Sequence, residues 1–200
     1  MQNDIPHRKR VKHYHDPGDL HELTFSCYRR LQLLTNDAWR TNLARSIDTA
    51  MAAWSLRLIA FVFMPNHVHL LVLPLTSEPQ IDKLLADIKR PCSVAAKADL
   101  LQSGSTLLDK LTIRTRPSVR AFRFWQEGPG YDRNLRTEAA VLASIEYIHT
   151  NPVKSQLCKR ASQWHWSSAR WYESDGQLLD PLLPIIHPLP GEFFESPTLS

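Results

Sequence analysis

The sequence has no long apolar run and few cysteines. No stretch reaches the roughly 18 consecutive apolar residues that a membrane-spanning helix needs. The first residues turn basic without the apolar stretch of a signal peptide, so we expect a cytoplasmic protein. The three cysteines are an odd number, lie far apart and form no C-x-x-C pair, which argues against a disulfide framework and favours buried or unreactive thiols.

Positive charge is in modest excess but is unevenly distributed. The net charge is +4, and between positions 83 and 124 nine basic residues stand against three acidic ones. After Arg170 the chain has acidic residues but no lysine or arginine. A basic body followed by an acidic tail indicates either a polyanionic partner or ordinary solvated surface, and composition alone leaves both open.

Composition divides the chain into three parts. Residues 1–18 are polar and basic and predict a flexible N-terminal arm. Residues 19–173 carry the patterns of one folded domain, with enough length to bury a core. Residues 174–200 form an acidic, proline-rich tail in which we expect no catalytic residue. We expect this tail either to pack on the domain through Phe193 and Phe194 or to cover the basic surface.

The predicted elements follow the order strand, helix, hairpin, helix, strand, helix. Strands are predicted over 20–28, 56–63, 67–73 and 119–125, and helices over 37–54, 79–101 and 137–150. Pro91 is a position where the second helix could divide, and Asn151-Pro152 are expected to end the third. This order favours an α+β fold with helices on one face of an antiparallel sheet.

Two histidines share one face of the second hairpin strand. His67 and His69 are two residues apart, and side chains alternate in direction along a strand. Two imidazoles side by side can bind one divalent metal ion. The same pattern also describes a hydrogen-bonded histidine pair on a half-exposed strand, so it leaves both interpretations open.

A tyrosine and an asparagine share one face of the last predicted helix. Tyr147 and Asn151 lie one turn apart, opposite an apolar stripe formed by Val141, Leu142, Ile145 and Ile148. Small residues surround the tyrosine, so this face is open enough for a phosphodiester. Alternatively, Tyr147 is a half-buried aromatic residue and Asn151 a helix-end residue.

Four sequence strings together resemble one family. MPNHVHLLV at 64–72 resembles the His-hydrophobic-His motif of single-tyrosine HUH transposases. FWQEG at 124–128 and EYIHTNPVK at 146–154 resemble the tyrosine segment of the REP-associated tyrosine transposases, and WSS at 166–168 matches a string that follows it. The segment from about 91 to 119 is longer than in compact members, so DNA contacts there cannot be carried over.

The resemblance implies a ferredoxin-like antiparallel sheet and a metal-dependent endonuclease. Such an enzyme cleaves and rejoins single-stranded DNA, hairpin or palindromic, through a 5′-phosphotyrosine intermediate in DNA transposition. By position, His67 and His69 match the metal-binding pair, Tyr147 matches the nucleophile and Asn151 matches the third ligand. Mg²⁺ or Mn²⁺ is expected, because the third ligand is an amide and not a thiolate.

The expected partner is single-stranded DNA that forms a hairpin. Binding to DNA would associate the protein with the nucleoid. The protein is expected to be a monomer or a homodimer. Four basic residues are the candidates for salt-sensitive DNA binding: Lys89, Arg90, Arg120 and Arg123. One alternative is a catalytically silent or domesticated single-stranded nucleic-acid-binding protein of the same fold. Another is a replication or conjugation nickase, which the small size and the lack of a helicase-like segment disfavour.

Overall fold

A computed structural model describes residues 19–128 and 130–191. The predicted arm at 1–18 and the residues Phe193 and Phe194 lie outside this described part. Among the described helices, none is both long enough and apolar enough to span a membrane.

The described chain contains six strands and five α-helices. The strands are β1 (Leu20–Ser26), β2 (Leu56–Met64), β3 (His67–Pro74), β4 (Thr112–Arg116), β5 (Val119–Phe122) and β6 (Tyr131–Leu135). The helices are α1 (Asp37–Ala53), α2 (Ile81–Gln102), α3 (Leu107–Leu111), α4 (Glu138–Lys154) and α5 (Ala169–Glu173). Short 3₁₀ turns lie at Tyr28–Arg30, Leu33–Thr35 and Ala161–Gln163.

A four-stranded antiparallel sheet forms the centre of the domain. Its strand order is β2-β3-β1-β6, and every neighbouring pair runs antiparallel. The predicted β2–β3 hairpin is present, because only Pro65 and Asn66 separate two strands rich in β-branched and aromatic residues. Together with its helices this sheet confirms the predicted α+β, ferredoxin-like fold class.

Helices α1 and α2 cover one face of the sheet. Leu43 and Ile47 from α1 and Leu84 and Ile88 from α2 are fully or almost fully buried against strand residues such as Phe61. Burying a side chain of this size contributes about 1.5–3 kcal/mol. This layer holds most of the core and keeps the sheet rigid beneath the opposite face.

Helix α4 packs against the opposite face. Val141, Ile145 and Ile148 contact a second set of strand residues that alternates in sequence with the first. Leu142, which the sequence pattern assigned to the same apolar stripe, is instead 49% exposed. The two helices α1 and α2 share one face as predicted, and α4 adds a third layer on the other face.

The fourth strand of the sheet differs from the predicted one. The predicted strand at 119–125 contributes β5, which pairs with β4 in a separate two-stranded hairpin. The sheet is completed by β6 (Tyr131–Leu135), which the sequence did not indicate. Asp132 and Asn134 lower its strand propensity, and pairing with β1 along one edge compensates for this.

Two prolines lie inside helices. Helix α2 continues through Pro91, and α4 continues through Pro152 to Lys154 and does not end before it. Each proline removes one backbone donor, while burial of the surrounding apolar residues favours an unbroken helix. Because Pro152 lies in the last turn of α4, Asn151 keeps helical geometry.

The described part of the tail runs along the domain. The backbone N–H of His187 donates to the carbonyl oxygen of Leu58 at 2.9 Å, and that of Ile185 donates to Asp48 Oδ1 at 2.8 Å. Leu183 and Ile186 pack against the main core. Residues 174–191 thus belong to the folded surface, whereas the predicted role of Phe193 and Phe194 lies outside the described residues.

Candidate active site

The histidine pair lies on the sheet face that meets α4. His67 and His69 project from β3 with their ring centroids 4.9 Å apart. In the strand register, Ser26 of β1 lies opposite His67 and Thr24 lies opposite His69. The alternation predicted from the sequence therefore places both imidazoles side by side.

Hydrogen bonds orient each imidazole through its Nδ1 atom. His67 Nδ1 donates to Asn66 Oδ1 at 2.6 Å, and His69 Nδ1 lies 2.8 Å from the hydroxyl oxygen of Thr24. The Asn151 amide donates from Nδ2 to His69 Nε2 at 3.2 Å, which places the His69 proton on Nδ1. Both Nε2 atoms thus carry a lone pair that faces away from the strand hydrogen bonds.

Burial keeps both histidines neutral. It lowers the pKa of His67 to about 4, and the positive charge of Arg30 acts in the same direction. Burial, the neighbouring His67 and then Arg30 lower the pKa of His69 to about 3. Both rings are therefore unprotonated at neutral pH, which is the form that binds a metal ion.

Helix α4 brings Tyr147 and Asn151 to the histidine pair. The Thr137 side chain caps the helix by accepting from the Ala140 N–H at 3.2 Å. The Tyr147 ring meets the His69 ring edge to face, with centroids 5.3 Å apart, and Asn151 is only 8% exposed. The structure thus brings together the four groups that the sequence predicted for metal binding and nucleophilic attack.

The Tyr147 side chain is partly exposed. It is 41% exposed, and within the described residues its hydroxyl makes no hydrogen bond. The ammonium group of Lys154 lies 5.3 Å from the ring centroid. Tyr172 contrasts with it, because its hydroxyl donates to the Ile59 carbonyl at 3.0 Å and burial raises its pKa to about 12.

A short segment, Trp166–Ser168, links α4 to β2. The Phe63 N–H donates to the Trp166 carbonyl at 2.8 Å, and the Ser168 N–H donates to the Phe61 carbonyl at 3.0 Å. The Ser168 hydroxyl also lies 2.8 Å from Nε2 of His149 on α4. This link sets the position of the helix, so the WSS string supports the site without entering it.

Two residues near the site were missed by sequence reasoning. Thr24 was not distinguishable from other strand threonines, because its contact with His69 depends on the strand register. Arg30 lies in a left-handed turn in which Arg29 has φ 51° and Arg30 has φ 56°. No sequence pattern indicated this turn, because neither residue is the glycine or asparagine that usually adopts a left-handed backbone conformation.

The four predicted DNA-binding residues lie in different surroundings. Lys89 lines a groove beside Thr24, and burial lowers its pKa to about 8. Arg90 on α2 and Arg120 on β5 are exposed. Arg123 lies 3.6 Å from Glu127 in a partly exposed ion pair, so its charge is partly offset.

The donor set fits a labile divalent ion. Within the described ranges, no group of three or more histidine, cysteine, aspartate or glutamate side chains could hold a metal ion. The site instead offers two neutral imidazoles and the Asn151 amide. This set leaves positions for water or phosphate oxygens, which Mg²⁺ and Mn²⁺ accept, and it lacks the fourth protein ligand of a structural zinc site.

The histidine pair on the central strand β3 faces the tyrosine of α4. Residues 19–107, which include the histidine pair, match the family model described as "Transposase IS200 like". This part of the chain is therefore similar to the family that the sequence motifs resemble. No curated protein matches the chain.

Solved structures extend the likeness in fold beyond the family match. The structure of the REP-associated tyrosine transposase bound to a REP hairpin has a TM-score of 0.64 and 20% identity, and covers 94% of this chain and 98% of its own. A candidate transposase from Deinococcus radiodurans R1 has a TM-score of 0.43 and 17% identity, over 72% of this chain and 96% of its own. The first likeness concerns the fold, and its 94% coverage reaches beyond the residues that the family model matches.

Proposed function

We propose that this protein cleaves and rejoins single-stranded DNA in transposition, with Tyr147 as the nucleophile. The contact between the Tyr147 ring and His69, with the Asn151 amide 3.2 Å from the same imidazole, carries this proposal. These groups come from segments about 80 residues apart in the chain. The test is a covalent adduct between the protein and a labelled single-stranded hairpin in Mn²⁺, observed on a denaturing gel.

His67, His69 and Asn151 are the residues that would hold Mg²⁺ or Mn²⁺. When bound, such an ion would polarise a non-bridging phosphate oxygen and offset the charge that grows in the transition state. The two imidazoles are already neutral and oriented by Asn66 and Thr24, so the rings themselves need little reorganisation. The Asn151 amide, whose nitrogen donates to His69 Nε2, would turn over to release that lone pair and present its carbonyl oxygen.

Tyr147 would attack the phosphorus atom through its exposed hydroxyl. The bond from the Tyr147 oxygen to phosphorus forms as the bond from phosphorus to the 3′ oxygen breaks. The phenolic proton leaves to solvent, and the departing 3′ oxygen takes up a proton. The products are a 5′-phosphotyrosine and a free 3′-hydroxyl, and because one phosphodiester replaces another, a second 3′-hydroxyl can reverse the step without ATP.

We further propose that the substrate DNA forms a hairpin, since the likeness with a TM-score of 0.64 is to a protein bound to a REP hairpin.

The arginines of the protein's β4–β5 hairpin support a polyanionic partner. Arg114 and Arg120 lie directly opposite each other on its two strands, and Arg116 is also exposed. Like charges in opposite positions destabilise a strand pair, and a DNA backbone would relieve this repulsion.

Replacing Arg90 and Arg120 together with glutamine should weaken DNA binding and its salt dependence. Each lost phosphate contact should lower the slope of log affinity against log salt by about 0.7. Fluorescence anisotropy with a labelled single-stranded hairpin measures both quantities. The matched control is the double variant Arg45→Gln, Arg57→Gln, which removes two exposed arginines from α1 and from the end of β2 remote from His67. Equal slopes in the two double variants would count against this surface.

Replacing Thr24 with valine should weaken metal binding. Valine keeps the branched shape but removes the hydroxyl that contacts His69 Nδ1 at 2.8 Å, so the ring loses its fixed orientation. We expect the affinity for Mn²⁺ alone to fall about tenfold or more, measured by isothermal titration calorimetry. Thr24→Ser, which retains the hydroxyl, should preserve it. An unchanged Mn²⁺ affinity in the valine variant would refute the positioning role.

A further inference from the structure

A groove of about 240 Å³ opens beside the histidine pair. Its lining includes Thr24 and Ser26, which are the two β1 residues opposite His69 and His67. The lining also includes two cationic side chains and one aromatic ring that could contact a ligand: Arg30, Lys89 and Tyr131. The groove therefore begins at the residues that adjoin the proposed metal ligands.

Arg30 is held in this groove by an unusual turn. Residues other than glycine adopt left-handed backbone rarely, and two in succession occur only where the surroundings fix them. Here the Arg30 N–H donates to the Cys27 carbonyl at 3.0 Å, and the Arg29 N–H donates to the Gln126 side chain at 3.2 Å. Among the described residues no carboxylate forms an ion pair with Arg30.

Lys89 brings a second cation into the groove. Its ammonium group lies 4.9 Å from the ring centroid of Phe25, and it has no ion-pair partner among the described residues. Burial disfavours its charged form and the negative charge of Asp82 offsets this only in part, so an anion bound beside Lys89 would stabilise the cation. Glu127 also lines the groove, but its carboxylate lies 3.6 Å from Arg123, which offsets its charge.

Tyr131 adds an exposed aromatic ring. It lies on β6 directly opposite Thr24 and is 54% exposed. Gly130 before it has φ 81°, and a Cβ there would collide with the carbonyl oxygen of Thr24. This glycine lets β6 lie close to β1, and Tyr131 lines the same groove as Arg30 and Lys89.

We infer that this groove is a nucleotide subsite of the proposed DNA-cleaving site. A DNA phosphate binds between Arg30 and Lys89, and the attached base stacks on Tyr131. Guanidinium and ammonium groups are suited to a phosphate oxygen, and an exposed tyrosine ring stacks on any base. The subsite adjoins the histidine pair, so it holds a nucleotide next to the scissile phosphate. This inference rests on the proposed function.

The phosphate contact is tested with Arg30→Gln and fluorescein-labelled oligothymidylate in EDTA, by fluorescence anisotropy. We expect about a tenfold loss of affinity and a salt slope lower by about 0.7. Arg29→Gln is the matched control, since it removes the same charge one residue away, where the guanidinium lies over the Tyr28 ring. A neutral methylphosphonate oligothymidylate should bind the wild type and Arg30→Gln equally.

The stacking contact is tested with Tyr131→Ala and Tyr131→Phe. The alanine variant should lose about tenfold in affinity for oligothymidylate, and the phenylalanine variant should keep the wild-type affinity. An oligomer without bases should bind the wild type and Tyr131→Ala equally.

Equal binding by Arg30→Gln and Arg29→Gln, or by Tyr131→Ala and the wild type, would overturn the subsite. If Tyr147 still forms its covalent adduct in that case, the proposed function stands without the subsite. A wild-type protein that does not bind the oligomer at all would overturn both.

Discussion

Replacing Tyr147 with phenylalanine should abolish the covalent protein–DNA adduct and reduce strand cleavage by roughly 10⁴-fold or more. The substitution removes one exposed oxygen and keeps the ring that contacts His69 at a centroid distance of 5.3 Å. Since the hydroxyl has no hydrogen-bond partner in the described structure, the melting temperature should change little. DNA affinity should also change little, because binding depends on other groups. A denaturing gel, a thermal melt and an anisotropy titration measure the three quantities.

The control for this variant is Tyr28→Phe, which removes a phenol from the 3₁₀ turn that follows β1. It should form the adduct at the wild-type rate. Mass spectrometry of the trapped adduct should place the nucleotide on the peptide that contains Tyr147. An adduct on Tyr28, Tyr131 or Tyr172, or cleavage that persists in Tyr147→Phe, would show that another residue is the nucleophile.

Replacing both His67 and His69 with alanine should abolish cleavage and Mn²⁺ binding. The variant removes both neutral imidazoles and leaves the Asn151 amide as the remaining proposed ligand. Chelation of the wild-type protein with EDTA should have the same effect on cleavage and should be reversed by added Mn²⁺. Adduct formation and calorimetric titration with Mn²⁺ test the two losses separately.

Folding of this double variant needs its own measurement. His69 is 5% exposed and hydrogen-bonded to Thr24 and Asn151, so its removal leaves buried groups without partners at a cost of about 1–3 kcal/mol. His67→Ala alone removes the less buried ring and provides a milder variant, while His165→Ala removes a half-exposed histidine outside the site. Normal cleavage by the folded double variant would contradict the metal site. A wild-type protein that binds DNA but never forms an adduct would instead favour a catalytically silent binding protein.

The predictable part of the fold follows from periodicity and short connections. β2 and β3 are short runs rich in apolar residues, and only two residues join them, so their pairing as a hairpin is evident from the sequence. β6 was not predictable, because Asp132 and Asn134 disfavour a strand and only the edge of β1 selects it. The strand expected at 119–125 has the right composition but pairs locally with β4.

The site was predictable only in part. Helical phase alone places Tyr147 and Asn151 on one side of α4, and strand alternation places His67 and His69 on one face. Only the family resemblance implied that this side of α4 meets this face of β3, and periodicity did not. Thr24 and Arg30 depend on strand register and on a left-handed turn, which local sequence patterns do not encode.

The segment Trp166–Ser168 has a consequence for the exposed edge of the sheet. Its backbone hydrogen bonds to Phe61 and Phe63 occupy that part of the outer edge of β2, which is then closed to pairing with a strand of another molecule. In the described part of the chain, β6 is the strand at the other edge, and it carries Tyr131. A strand of another molecule that paired with β6 would lie beside the proposed nucleotide subsite and would compete with a nucleotide for Tyr131.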